Sequence, residues 1–142
     1  MQTRLVPAQY FRKEEELEKY LESSNFLADV NNERKVKNAT YKENMMKLER
    51  FVMFMFGDDT TVIPKESAFF SEFNATTGVV TKLQDRPIYK EDWLGLRVLD
   101  EQKKLDFLIT EGGHMQLSDK LLKDTFKKYF IRRAEGGSAV EL

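Results

Sequence analysis

Hydrophobic residues fall in distinct rhythms along this chain. Lys13 to Leu21 (KEEELEKYL) is charged, with Leu17, Tyr20 and Leu21 at helical spacing, which predicts a surface helix burying one narrow stripe. Pro7 keeps the start extended, and the polar stretch Asn25 to Lys37 reads as loop. At Thr40 a second helix is predicted. Thr40 and Glu43 have capping-box spacing, in which each side chain satisfies the other residue's free backbone donor, and Met45 and Leu48 follow on one face. The helix runs into Phe51-Val-Met-Phe-Met-Phe56, an apolar run without alternation that suits a parallel strand buried on both faces. Gly57-Asp58-Asp59 ends it.

The stretch from Pro64 to Glu101 is mixed: an aromatic cluster at Phe69, Phe70 and Phe73, a turn at Asn74 to Gly78, and a short helix at Asp92 to Leu99. Leu105 to Ile109 (LDFLI) reads as a second buried strand, broken at Glu111-Gly112-Gly113-His114. Ser118 can cap a last helix whose apolar residues, Leu121, Leu122, Thr125, Phe126, Tyr129 and Phe130, trace one stripe. This alternation predicts an α/β fold with a parallel sheet flanked by helices. Functional groups in such sheets gather in loops beyond the carboxyl ends of the strands. Two loops qualify, Gly57 to Thr61 with paired aspartates and Glu111 to Met115 with the single histidine.

Composition narrows the function. A chain of 142 residues is one domain's worth, and a formal charge of -1 argues against nucleic-acid or polybasic membrane-surface binding. Six consecutive apolar residues, Phe51 to Phe56, are the longest such run, so no transmembrane helix is expected. The absence of cysteine excludes disulfide scaffolds, zinc ribbons and thiol nucleophiles, and one histidine excludes multi-histidine metal sites. No metal or cofactor is therefore expected. Met1 to Phe11 lacks an apolar h-region, so no signal peptide is visible in this chain, and Ala134 to Leu142 reads as a disordered tail.

An aspartate facing a histidine is the orienting half of a nucleophilic triad. The carboxylate accepts one ring N–H, fixes the tautomer and stabilises the imidazolium formed during proton transfer. Gly112 and Gly113 would let the backbone turn sharply before His114. The order acid then histidine matches α/β-hydrolases. A nucleophile does not appear: none of Ser23, Ser24, Ser67, Ser71, Ser118 and Ser138 sits in Gly-x-Ser-x-Gly. The pattern alone supports only part of a hydrolase, and a solvated or hydrogen-bonded structural histidine is the commoner reading of a lone histidine after a strand.

A resemblance sharpens this reading. Arg4 to Tyr10 (RLVPAQY), Phe26 to Arg34 (FLADVNNER), Asn38 to Asn44 (NATYKEN), Phe51 to Val62 (FVMFMFGDDTTV), Leu94-Gly95-Leu96 and Phe107 to Ser118 (FLITEGGHMQLS) are collinear with the later part of the palmitoyl-protein thioesterases, which the chain resembles. These are lysosomal α/β-hydrolases that remove long acyl chains from S-acylated cysteines. The resemblance implies the C-terminal part of that fold, with residues 1–40 the end of the inserted acyl-binding subdomain, 41–131 the hydrolase core and 132–142 a tail. It implies Asp59 as triad acid, ahead of Asp58, and His114 as base. Gly113 stands where the family pattern has an aspartate.

The resemblance further implies that Val62 and Ile63 contribute to the acyl-chain groove, although ordinary core packing would also account for them. The nucleophilic serine and oxyanion donors would precede Met1, leaving the missing N-terminal part of the hydrolase as the needed partner and S-palmitoylated proteins or acyl thioesters as substrate. Alone, the chain would be inactive, or would act as a non-catalytic acyl-chain- or partner-binding form. Asn38-Ala-Thr and Asn74-Ala-Thr are glycosylation sequons, and the resemblance favours Asn38 in a lysosomal or secretory compartment.

Overall fold

Strand β1 (Phe51–Phe56) and strand β4 (Leu105–Thr110) form a parallel pair in register from Phe51↔Leu105 to Phe56↔Thr110. The computed structural model describes residues 7–74 and 76–131, so the expected tail and the segment before Pro7 lie outside the described residues. Between the two strands the chain makes a small antiparallel hairpin, β2 (Glu72–Asn74) with β3 (Val79–Thr81), and the helices α4 (Pro87–Lys90) and α5 (Leu96–Glu101). Before β1 come α1 (Leu17–Ser23), α2 (Leu27–Val30) and α3 (Ala39–Met46); α6 (Asp119–Tyr129) follows β4. The chain is thus an α/β protein with a parallel sheet flanked by helices.

The core lies where α4 and α5 meet the sheet, with Ile88, Leu96 and Leu99 at or near full burial beside Met53 and Leu105. Gly95 opens α5 at φ 79°, and a Cβ there would lie 2.6 Å from Met46 Cγ, so the close approach of α3 to α5 depends on this glycine. Among the described residues no helix is long and apolar enough to cross a membrane.

Several expectations change. A four-residue 3-10 turn, Pro7–Tyr10, replaces the extended start, and α2 interrupts the expected loop. The predicted first helix is a 3-10 turn, Glu14–Glu16, leading into α1, whose buried residue is Tyr20 while Leu17 stays 39% exposed. Helix α3 is capped by Asn38, whose Oδ1 accepts from the Thr40 N–H at 3.0 Å, rather than by Thr40. Asn38 wins because the Asn32 side chain grips its backbone on both sides, accepting from its N–H at 2.7 Å and donating to its carbonyl at 3.0 Å.

Strand β4 is not buried on both faces: Phe107 and Ile109 are exposed, Ile109 by 68%. The aromatic cluster is divided, with Phe69 edge-on to Phe107, Phe70 against Phe51, and Phe73 exposed on β2. Ser118 does cap α6, accepting from the Leu121 N–H at 3.1 Å. The α6 stripe splits into two rows at four-residue spacing. Leu121, Thr125 and Tyr129 are half-buried, and Leu122, Phe126 and Phe130 form an exposed neighbouring row.

Candidate active site

The parallel register delivers the two candidate loops side by side. Beyond the last rung, the Gly57 N–H donates to the Thr110 carbonyl at 2.8 Å and the Asp58 N–H to the Gly112 carbonyl at 3.1 Å. The chain after β1 then turns. Asp59 tucks its carboxylate inward, leaving the side chain 6% exposed, while Asp58 points to solvent. Asp59 Oδ1 accepts from the N–H groups of Thr61 at 2.8 Å and Val62 at 3.0 Å. Its other oxygen, Oδ2, lies 2.9 Å from His114 Nδ1.

Each contact fixes one feature of the pair. The two backbone donors pin Oδ1, so Oδ2 is the atom left to face the ring. An ionised carboxylate accepts, so Nδ1 carries the proton and Nε2 holds a free lone pair when the ring is neutral. The His114 contact, then the Val62 N–H, holds the Asp59 carboxyl below its ordinary value against the opposing effect of burial. The His114 side chain is 41% exposed, so the imidazole is supported on its Nδ1 edge and open to an incoming group elsewhere.

The histidine turn is closed from its other end. Gln116 Oε1 accepts from the Gly113 N–H at 2.8 Å, and the Gln116 N–H donates to the Gly113 carbonyl at 3.1 Å. Gly112 sits at φ 96°, a conformation that disfavours side chains. Lys65 donates to the carbonyl of Gly57 at the start of the acid loop.

Val62 and Ile63 line two adjoining clefts of about 500 and 590 Å³. The first runs along Asp58, Asp59 and Thr60; His114 lines neither. Ile63 is 80% exposed and Val62 is half-buried. The second cleft is floored by a charged cluster, drawn from distant segments, that no local sequence pattern announces. Arg12 Nε donates to Glu33 Oε2 at 2.8 Å and its guanidinium also meets Glu72, which receives Arg86 at 2.6 Å. Among the described residues no group of three metal-ligating side chains assembles.

Asn38 and Asn74 both adopt side-chain turns. Asn74 Oδ1 accepts from Thr76 N–H at 3.0 Å and Thr77 N–H at 2.9 Å, at the head of the β2–β3 hairpin.

A parallel sheet with a carboxylate–imidazole pair in the loops beyond its carboxyl ends is an arrangement compatible with α/β hydrolases. Comparison with known proteins gives the family: the palmitoyl protein thioesterase profile matches residues 1–114, and the chain belongs to that family. It is 46% identical over 131 residues to palmitoyl-protein thioesterase 3 of Dictyostelium discoideum, covering 92% of this chain and 44% of that protein. Palmitoyl-protein thioesterase 1 of Caenorhabditis elegans is 36% identical over 133 residues, with the same 92% and 44% coverage. The lysosomal thioesterase PPT2 homolog of Drosophila melanogaster is 32% identical over 106 residues, 74% of this chain and 36% of its own length. The chain therefore spans less than half the length of these relatives and matches their C-terminal part.

Proposed function

We propose that this chain carries the general base, His114, and its orienting acid, Asp59, of a serine thioesterase that removes long acyl chains from S-acylated cysteines. The observation that carries the reading is the 2.9 Å contact between His114 Nδ1 and an Asp59 carboxylate already pinned by two backbone donors. The nucleophilic serine comes from polypeptide outside this sequence, in keeping with the 44% of each relative that the chain spans. Residues 1–40 then belong to the acyl-binding insertion and 41–131 to the hydrolase core.

In the assembled site, His114 Nε2 takes the hydroxyl proton as the serine oxygen attacks the thioester carbonyl. The proton passes to the departing cysteine thiolate, leaving an acyl-enzyme. Water, deprotonated by the same Nε2, then releases the fatty acid and returns the proton to serine. Asp59 holds the Nδ1–H throughout and balances the positive charge of the imidazolium. Val62 and Ile63 give the acyl chain an apolar wall, in line with their place on both clefts. A lysosomal location, supported by relatives named lysosomal thioesterases, completes the reading, and the Asn38-Ala-Thr sequon offers a glycan acceptor there.

The test is His114→Ala in a chain that includes the serine. Turnover of an S-palmitoylated peptide is expected to fall by about 10³-fold or more; near-normal hydrolysis would overturn the assignment. A second reading, a non-catalytic acyl-chain- or partner-binding form, is favoured by the exposed row Leu122, Phe126 and Phe130. It would be preferred if the 142-residue chain occurred natively at its own mass and bound acyl chains without hydrolysing them.

A further inference from the structure

His114 and Met115 are the two central residues of a four-residue turn whose ends are Gly113 and Gln116. Both backbone groups of Gly113 are bonded to Gln116, the N–H to side-chain Oε1 at 2.8 Å and the carbonyl to the backbone N–H at 3.1 Å. Two neighbouring residues sit at positive φ, Gly112 at 96° and Met115 at 57°. The Gln116 side chain lies flat on the preceding peptide: a Cβ built on Gly112 would come within 2.7 Å of Oε1 and 3.2 Å of the Gln116 Cβ. The opposite side of the turn is tied to the acid loop through the Asp58 N–H and the Gly112 carbonyl.

We infer that Gln116 is a positioning residue for His114: its amide oxygen closes the turn and so holds the imidazole with Nδ1 on Asp59. The inference deepens the thioesterase reading and rests on it. Gln116 is exposed, so a contribution to core packing does not account for its placement. What it offers is an acceptor at the one distance from which a residue three positions ahead can reach back to the Gly113 N–H. Water can also satisfy that N–H when the turn opens, so the side chain decides how much of the time His114 faces its acid. The position therefore needs an acceptor of glutamine length. Glutamate meets that requirement, while methionine keeps the shape and lacks the oxygen.

His114 is the single histidine of the chain, so its ring ¹⁵N resonances need no assignment. They distinguish a proton fixed on Nδ1 from one on Nε2 or exchanging between the two. The experiment records them for the full 142-residue chain, Gln116→Met and Gln116→Glu, at a pH where the ring is neutral. The expected result is a fixed Nδ1–H form in the parent chain, its collapse toward the averaged pattern in Gln116→Met, and its retention in Gln116→Glu. A parent spectrum without the Nδ1–H form would overturn the Asp59–His114 pairing and this inference with it. A parent with that form and a Gln116→Met spectrum indistinguishable from it would overturn the role of Gln116 alone. Loss of the form in Gln116→Glu as well would also overturn it, because an acceptor would then be insufficient.

Discussion

Phe56 and Thr110 face one another on the last rung of the parallel ladder, and the two chains leave the sheet there at one level. Asp59 lies three residues beyond the first and His114 four beyond the second, and their side chains meet at 2.9 Å. In a parallel pair this meeting is a consequence of register. A slip of one residue would turn the alternating faces over and move one loop by about 3.3 Å relative to the other.

The Asp59→Asn substitution makes a sharp test because the two oxygens of Asp59 have different tasks. Thr61 and Val62 both donate to Oδ1, so a carboxamide at this position keeps its oxygen there and turns its NH₂ toward His114. The ring must then accept at Nδ1 and carry its proton on Nε2, the wrong form for a base. In a serine-containing chain, kcat should fall by about 10³–10⁴-fold with KM little changed. An unaltered kcat would show that Asp59 does not set the tautomer.

The same pair carries a pH dependence. The folded Asp59 carboxyl titrates below its ordinary value of 3.8, chiefly because of the His114 contact and then the Val62 N–H. A depressed carboxyl adds stability that is fully present above the unfolded value and is lost as pH falls through the folded one. The pair should therefore loosen on the acid side of the ordinary carboxylate range. His114→Ala removes the first cause and leaves the two backbone donors, so the Asp59 ¹³C-carboxyl titration should move upward without reaching the free value. No movement on removal of the histidine would contradict the contact.

What was legible in the sequence was local. The apolar run Phe51 to Phe56 and the Gly-Asp-Asp after it mark a strand and its loop because both signals lie within nine consecutive residues. Ser118 announces α6 for the same reason, since its acceptor and the Leu121 donor are three residues apart. Burial across elements was not legible. Ile109 has the composition of a core residue and is exposed because no described element covers that face of β4. Strands β2 and β3 have three residues each, too short for a period to declare itself. The Asp59–His114 pair spans 55 residues, and its legibility came from family likeness together with loop placement.

Asn38 illustrates how a local rule can choose the wrong neighbour. Thr40 and Glu43 have the spacing of a capping box, yet Asn38 occupies the cap with extended backbone, φ −87° and ψ 105°. Asn38→Ala should therefore destabilise the protein by about 1 kcal/mol, and Thr40→Ala should do much less. Chemical denaturation of the two variants separates them. Both substitutions also abolish the Asn38 sequon, so loss of the sequon does not account for an unequal loss of stability.

The charged floor of the larger cleft makes the last prediction. Glu33 accepts from Arg12 and, at 2.8 Å, from the buried Tyr20 hydroxyl, while Glu72 lies between Arg12 and Arg86. Burial opposes the charge on both arginines. For Arg12 the two glutamates outweigh it, whereas Arg86 remains shifted below its ordinary value. Arg86 is 6% exposed and also donates to the Phe70 carbonyl, so it cannot turn outward to water if its partner is removed. Glu72→Gln should leave Arg86 inside without a full counter-charge and destabilise the fold by about 3–5 kcal/mol. Glu16→Gln, at an exposed glutamate between Lys13 and Lys19, should change stability little. Replacing Arg86 by Met in the Glu72→Gln background should recover part of the loss, because the stranded charge is then gone. Thermal unfolding of the three variants is the measurement, and equal melting temperatures for Glu72→Gln and Glu16→Gln would show that the floor charges are solvated after all.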